Sequence, residues 1–249
     1  TLALNINASA MLNSITMIGN SGANSLIGTA YDDVINGEAG IDQLIGGAGN
    51  DQLTGGAGND LYIMNTSLHD AMGEISDSSG IDELRFSSTI ADETLVIFAS
   101  DIGLERVVIG TGNSASAVST AIITLNIVAS LGINGLALIG NAGDNDLLGT
   151  AFIDNISGGA GNDVIEGGAG NDILNGGIGV DTLTGGIGDD LYIVDNASDQ
   201  IIESENLAVN GIDLAQSGVS YLLPENVENL TLTGTAAISG AGNETANIL

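Results

Sequence analysis

The stretch GGAGNDVIE GGAGNDILN GGIGVDTLT GGIGDDLYI, from Gly158 to Ile193, decides how this chain folds. Glycine recurs at places 1, 2 and 4 of each nine residues. Aspartate stands at place 6 (Asp163, Asp172, Asp181, Asp190) and a large apolar residue at place 8 (Ile165, Leu174, Leu183, Tyr192). Two poorer copies precede it in the same register, starting at Gly140 and Gly149. An earlier block keeps the same phase from Gly19, Gly28, Gly37, Gly46 and Gly55, with Asn24, Asp33, Asp42, Asp51 and Asp60 at place 6. A solvated Gly–Asp linker would have no reason to hold place 8 apolar through five and then six copies.

Three glycines in the first four places allow positive φ and a tight turn that a β-carbon opposes. The last three residues are long enough for one short strand whose middle side chain points inward. Two nonapeptides then close one flattened coil, with a turn at each edge, and turns on one edge stack at roughly 4.8 Å. Asp33 falls over Asp51, Asp42 over Asp60, Asp154 over Asp172, Asp163 over Asp181 and Asp172 over Asp190. Bare stacked carboxylates repel, and a hard divalent cation between them turns repulsion into coordination. Calcium accepts about six to eight oxygens in flexible geometry, whereas magnesium holds to octahedra and keeps its waters. Backbone carbonyls of Gly47, Gly49, Gly56, Gly58, Gly159, Gly161, Gly168, Gly170, Gly177, Gly179, Gly186 and Gly188 are the expected co-ligands. Asn24 and Asn145 replace aspartate at the start of each block, so sites pairing them with Asp42 and Asp163 should be weak or empty. Tyr31 and Phe152 stand at place 4, where glycine is expected, so those turns should differ in shape. About five strong calcium sites follow.

On these motifs the chain resembles the RTX (repeats-in-toxin, hemolysin-type) calcium-binding repeat proteins, and the resemblance covers both blocks. It implies a right-handed parallel β-roll with calcium along both edges, type I secretion by a Gram-negative bacterium in an unfolded state, and folding on meeting external calcium. The segments LYIMNTSLHDAMGE and LYIVDNASDQIIES, each followed by GID, are similar to flanks that supply acids to the last turn in that family. The matching positions are Glu74 with Asp82, and Glu203 with Asp213; a solvated cap is the other reading of those acids.

Composition narrows the partners. The 249 residues carry a net charge of −30, no cysteine, no tryptophan and only Arg85 and Arg106 as cations. Phosphate backbones need clustered Lys and Arg and anionic lipid repels such a surface, so nucleic acid and membrane are excluded as direct partners. No stretch is long and apolar enough for a spanning helix, and the amino end carries no signal-peptide pattern. Without disulfides, and with a core only two columns of place-8 side chains thick, the rolls are expected to depend on calcium for stability.

A longer repeat organises the chain. LNINAS…IGNSGANSLIGTAYDD from Leu4 matches LNIVAS…IGNAGDNDLLGTAFID from Leu125 at a constant offset of 121. The expected organisation is an opening strand with a first roll at 1–63, a β cap or linker at 64–121, a second opening strand and roll at 122–192, a second cap at 193–241, and the start of a third roll at 242–249. Alternation around Leu84, Val96, Val107, Ile123 and Leu230 marks strands in the cap segments. The fold class is all-β: two calcium-binding parallel β-rolls joined and capped by short β segments. GNETANIL from Gly242 fits the opening nonapeptide GNSGANSL, which reads either as a piece of a longer array or as subunits completing one another head to tail.

The chemistry of catalysis is missing. His69 is the lone histidine, which leaves no usual Ser-His-Asp or multi-histidine zinc arrangement. Paired carboxylates suit glycoside hydrolysis by type, but calcium already explains their stacking and few aromatics line any sugar cleft. A non-enzyme is expected: an extracellular structural protein such as an adhesin shaft, S-layer or filament subunit. The alternative is the carboxyl-terminal secretion and folding module of a type I-secreted enzyme or toxin. Ice binding would need a Thr/Asn ladder, and GT occurs in these turns only at Thr29 and Thr150. Self-association is a possible further partner mode, with Asp32, Asp144, Asp146 and Asp189 as spare acids for calcium between subunits.

Overall fold

A computed structural model of the chain describes residues 2–65, 74–111, 117, 119–203, 211–244 and 246–249. Two compact units emerge, Thr1–Ser119 and Thr120–Leu249. The described residues of each form a parallel β-solenoid. His69 lies outside the described residues.

In the first unit, one sheet runs through Asn5–Asn7, Ser25–Ile27, Gln43–Ile45, Leu61–Met64, Glu83–Phe86 and Arg106–Ile109. Its register places Ile6 beside Leu26, Leu26 beside Leu44, Tyr62 next, then Leu84 and Val107. The facing sheet stacks Met17, Ile35, Leu53 and Ile75. The second unit repeats the plan, with Leu138, Ile156, Leu174, Tyr192, Ala215 and Leu230 in one column. Ile127, Leu147, Ile165, Leu183 and Ile201 form the other.

Apart from Asn5–Asn7, where Ile6 is half-buried, each three-residue strand buries its middle side chain and turns its neighbours outward, as the period of two demands. Burying one such side chain is worth about 1.5–3 kcal/mol. The core is therefore a pair of apolar columns, and Leu26, Leu44, Tyr62, Leu174 and Tyr192 are fully inaccessible. In the second unit the strands Asn155–Ala160, Val164–Ala169, Ile173–Ile178 and Thr182–Ile187 lengthen into the glycine turn. There Gly159 pairs with Gly177, and Gly168 with Gly186. Four successive Gly-Gly turns permit this, whereas the first unit has only the pairs at Gly46 and Gly55 and shows single bridges such as Ala39 to Ala57.

The segments expected as caps add further coils to the same sheets. The step from one coil to the next is 18 residues inside the blocks (Leu44 to Tyr62) and widens after them: 22 from Tyr62 to Leu84, 23 from Leu84 to Val107, and 23 from Tyr192 to Ala215. The strands foreseen around Leu84, Val107 and Leu230 are all such rungs. At the carboxyl end Ile248 bridges to Asn229. Among the described residues no helix is long and apolar enough to cross a membrane.

Candidate metal centres

All nine place-6 aspartates, Asp33, Asp42, Asp51, Asp60, Asp154, Asp163, Asp172, Asp181 and Asp190, are buried at the turns. The apolar columns position them: once place 8 is fixed inward, place 6 also faces in, two residues earlier on the same side of the chain. A ladder of hydrogen bonds ties them together. The backbone N–H of Asp33 donates to Asp51 Oδ1 (2.9 Å) and that of Asp42 to Asp60 Oδ1 (2.7 Å). In the second unit the N–H groups of Asp154, Asp163 and Asp172 donate to Oδ1 of Asp172, Asp181 and Asp190 (2.8, 2.8 and 2.7 Å).

The ladder uses Oδ1 of each aspartate; Thr29 and Thr150 take the Oδ2 of Asp33 and Asp154, and elsewhere the second oxygen is left. Oδ2 of Asp42, Asp60, Asp163, Asp172, Asp181, Asp190 and Asp213 is buried without a hydrogen-bond partner. A buried carboxylate oxygen without a partner costs several kcal/mol unless it is protonated or meets a cation. Seven such atoms, in a chain with two arginines that both pair with Glu83, are the feature a divalent cation fits. Glycine makes room for them. A β-carbon at Gly158 or Gly176 would overlap the Oδ2 of Asp163 or Asp181.

The expected carbonyl donors lie in the turns. Gly47, Gly49, Gly56, Gly58, Gly159, Gly161, Gly168, Gly170, Gly177, Gly186 and Gly188 have positive φ, between 88° and 143°, and Gly179 does not. At Gly177 a β-carbon would also run into the Gly159 carbonyl of the coil stacked on it.

Electrostatics tell the same story. Burial, followed by the charge of neighbouring acids and opposed by the ladder hydrogen bonds, raises Asp60, Asp82, Asp163 and Asp190 to about 7. Asp51, Asp172, Asp181 and Asp213 are raised to about 6. At neutral pH the metal-free roll carries most of these groups as buried charge that burial and neighbouring acids disfavour, and a cation relieves that conflict.

Each roll closes on a three-carboxylate cluster, Asp60–Asp77–Asp82 in the first unit and Asp190–Glu203–Asp213 in the second, with ligand atoms within 4.8 Å of one another. The place-8 tyrosine of the last nonapeptide reaches into each. Tyr62 donates to Asp77 Oδ2 (2.6 Å) and accepts from Gly55 N–H (2.7 Å); Tyr192 donates to Glu203 Oε1. Burial pushes the Tyr62 phenol well up, so it stays a donor. The ladder continues through both clusters, Asp60 N–H to Asp82 Oδ1 (2.6 Å) and Asp190 N–H to Asp213 Oδ1 (2.8 Å).

Glu203 and Asp213 thus meet as the sequence pairs them, but Glu74 and Asp82 do not. Glu74 sits on the other edge, where it accepts the Asp51 N–H (3.2 Å). Its counterpart in the second unit is Asp199, which accepts the Asp181 N–H (3.1 Å), and the counterpart of Glu203 is Asp77. Glu105 and Glu228 extend the ladders past the clusters by accepting from Asp82 and Asp213 (2.8 and 2.9 Å). Asp77, Glu105 and Glu228 escape a search for nine-residue spacing because the coil length changes at the end of each block, whereas Asp199 keeps the phase, 18 residues after Asp181, in a nonapeptide that has lost its glycines. The spare acids Asp32, Asp144 and Asp189 accept outer-edge N–H groups of Asn50, Asn162 and Ile212, and Asp146 is exposed.

At the start of each roll the amides behave differently. Asn24 Nδ2 donates to Asp42 Oδ1 (2.9 Å) and Asn145 Nδ2 to the Leu125 carbonyl (2.7 Å). The turns at Tyr31 and Phe152 do change shape: both backbone N–H groups donate to a threonine hydroxyl, Thr29 or Thr150, at place 2 (3.1 and 3.0 Å).

Stacked glycine turns, buried acid ladders and two apolar columns define a parallel β-roll of the metal-binding kind. Residues 18–40, 37–63, 139–174, 158–192 and 166–201 match the model of the RTX calcium-binding nonapeptide repeat. The chain carries RTX calcium-binding repeats, and both blocks are built of them. No curated protein matches the chain.

Proposed function

We propose that this chain is a calcium-folded structural protein of the cell exterior, a scaffold such as an adhesin shaft, S-layer or filament subunit, with no catalytic role. The observation that carries the reading is the row of buried, unpartnered Oδ2 atoms in both units. Through Oδ1 the same carboxylates hold coil to coil. Calcium would be held by the place-6 aspartates from Asp42 to Asp60 and from Asp163 to Asp190, by Asp77 and Asp82, and by Glu203 and Asp213, with turn carbonyls completing the shell. Affinities of about 0.1–1 mM, usual for extracellular modules, would leave the chain unfolded in the cytoplasm and folded outside, which suits export as an unfolded chain by type I secretion. The 121-residue repeat supports a scaffold, because one coil plan is used twice in succession.

Negative-stain electron microscopy in millimolar calcium, with a chelated control, tests the reading. Filaments or sheets that vanish on chelation are expected. Particles of single-chain size at every calcium level would refute the self-assembling scaffold and favour a folding module of a larger secreted protein.

A further inference from the structure

The turns that end at Asp33 and Asp154 carry the repeat's aspartate but differ chemically from those that follow. Asp33 Oδ1 accepts the Ile15 N–H (2.8 Å) and the Thr29 hydroxyl (3.1 Å), and Oδ2 accepts the Thr29 N–H (2.6 Å). Asp154 repeats the set: Oδ1 takes the Leu136 N–H (2.6 Å), and Oδ2 takes both the N–H and the hydroxyl of Thr150 (2.6 and 2.9 Å). A carboxylate offers about four lone-pair sites, so three are taken. In the deeper turns, Oδ2 of Asp42, Asp163, Asp172, Asp181 and Asp190 has no partner at all.

We propose that these two turns are metal-free by construction, because threonine at place 2 delivers to Asp33 and Asp154 the donors that stand where a cation would. The inference rests on the calcium reading above and limits it: ions are held from the next coil onward, and Asp33 and Asp154 are hydrogen-bonded clasps.

The cause is the residue at place 2. Glycine there takes positive φ, as at Gly47 (115°), Gly159 (109°) and Gly168 (113°), and even Glu38 is forced to 78°. Threonine is β-branched, and positive φ is a steep cost for it. Neither Thr29 nor Thr150 adopts it, and each turns its N–H toward the carboxylate. The hydrogens of N–H and O–H bring partial positive charge to the carboxylate and would face a cation with like sign. The neutral amides at Asn24 and Asn145, one nonapeptide earlier, continue the same chemistry. The device occurs in both units, in GTAYDD and GTAFID.

Counting bound ions by native mass spectrometry of the full chain in calcium tests this. The double variant Asp33→Asn/Asp154→Asn should keep the parent's ion count, whereas Asp172→Asn should lose at least one ion. Thr29→Gly/Thr150→Gly, which restores the Gly-Gly turn, should gain up to two ions; it also guards against a double asparagine variant that fails to fold. Loss of ions in the Asp33→Asn/Asp154→Asn chain, or an unchanged count in the glycine variant, would overturn this inference and leave the calcium reading standing. A parent chain that binds no calcium would overturn both.

Discussion

Acid should do part of calcium's work. Eight carboxyls, Asp51, Asp60, Asp82, Asp163, Asp172, Asp181, Asp190 and Asp213, are raised by folding to about 6 or about 7. A carboxyl raised in this way binds more protons folded than unfolded. Its contribution to stability is complete below the unfolded value of about 4 and is lost as pH climbs through 6 to 7. The metal-free rolls should therefore gain structure on acidification and lose it toward neutrality. At pH 7 the four groups near 7 hold about half a proton each and the four near 6 about a tenth, so roughly two to three protons per chain must leave when calcium enters. Calorimetric calcium titration in two buffers of different ionisation heat reads that number. Far-UV circular dichroism of the chelated chain between about pH 7.5 and pH 5 reads the folding. A chain equally unfolded at both ends of that range, with no proton displaced by calcium, would refute the reasoning.

Three further outcomes follow from particular residues. Asp172→Asn converts a buried acid whose Oδ2 has no hydrogen-bond partner into an amide; at about 10 mM calcium, loss of one site of about 0.1–1 mM affinity removes roughly 1.4–2.7 kcal/mol, read as a shift in the calcium midpoint of folding. Leu174→Ala empties a fully buried place in the second unit's core and should cost about 2–5 kcal/mol in chemical denaturation at saturating calcium. Gly177→Ala places a β-carbon at φ 88° against the Gly159 carbonyl and should lower stability by about 1–3 kcal/mol, seen in thermal melts with calcium present.

Much of this was legible before any coordinates, because a period of nine fixes both the inward place and the turn. Leu26, Leu44 and Leu174 in the core, and Asp172 beneath Asp154, follow from phase alone. What stayed hidden lay where the period breaks. From Tyr62 to Leu84 the coil takes 22 residues, so Asp77 and Glu74 could not be assigned to an edge by counting. Sequence position pairs Glu74 with Glu203, but the edge is set by the strand that follows: Ile75 pairs with Leu53 directly after Glu74, whereas Glu203 comes after Ile201, the partner of Leu183. The threonine clasps were equally obscure: Thr29 and Thr150 are visible as departures from Gly-Gly, but only the direction of their N–H groups shows that they quench the neighbouring aspartate.

The ladder of N–H to Oδ1 bonds runs one way, each coil's place-6 N–H donating to an acid of the coil that follows it in sequence. Chain length inside the blocks is therefore quantised. Gain or loss of 18 residues leaves every donor facing an acid and every apolar column in place, so a roll can grow or shrink by whole coils. A change of nine would carry all later strands to the opposite sheet, sending Tyr192 and the acid cluster it reaches to the wrong edge. Variation in the number of repeats among chains built on this plan should come in pairs of nonapeptides.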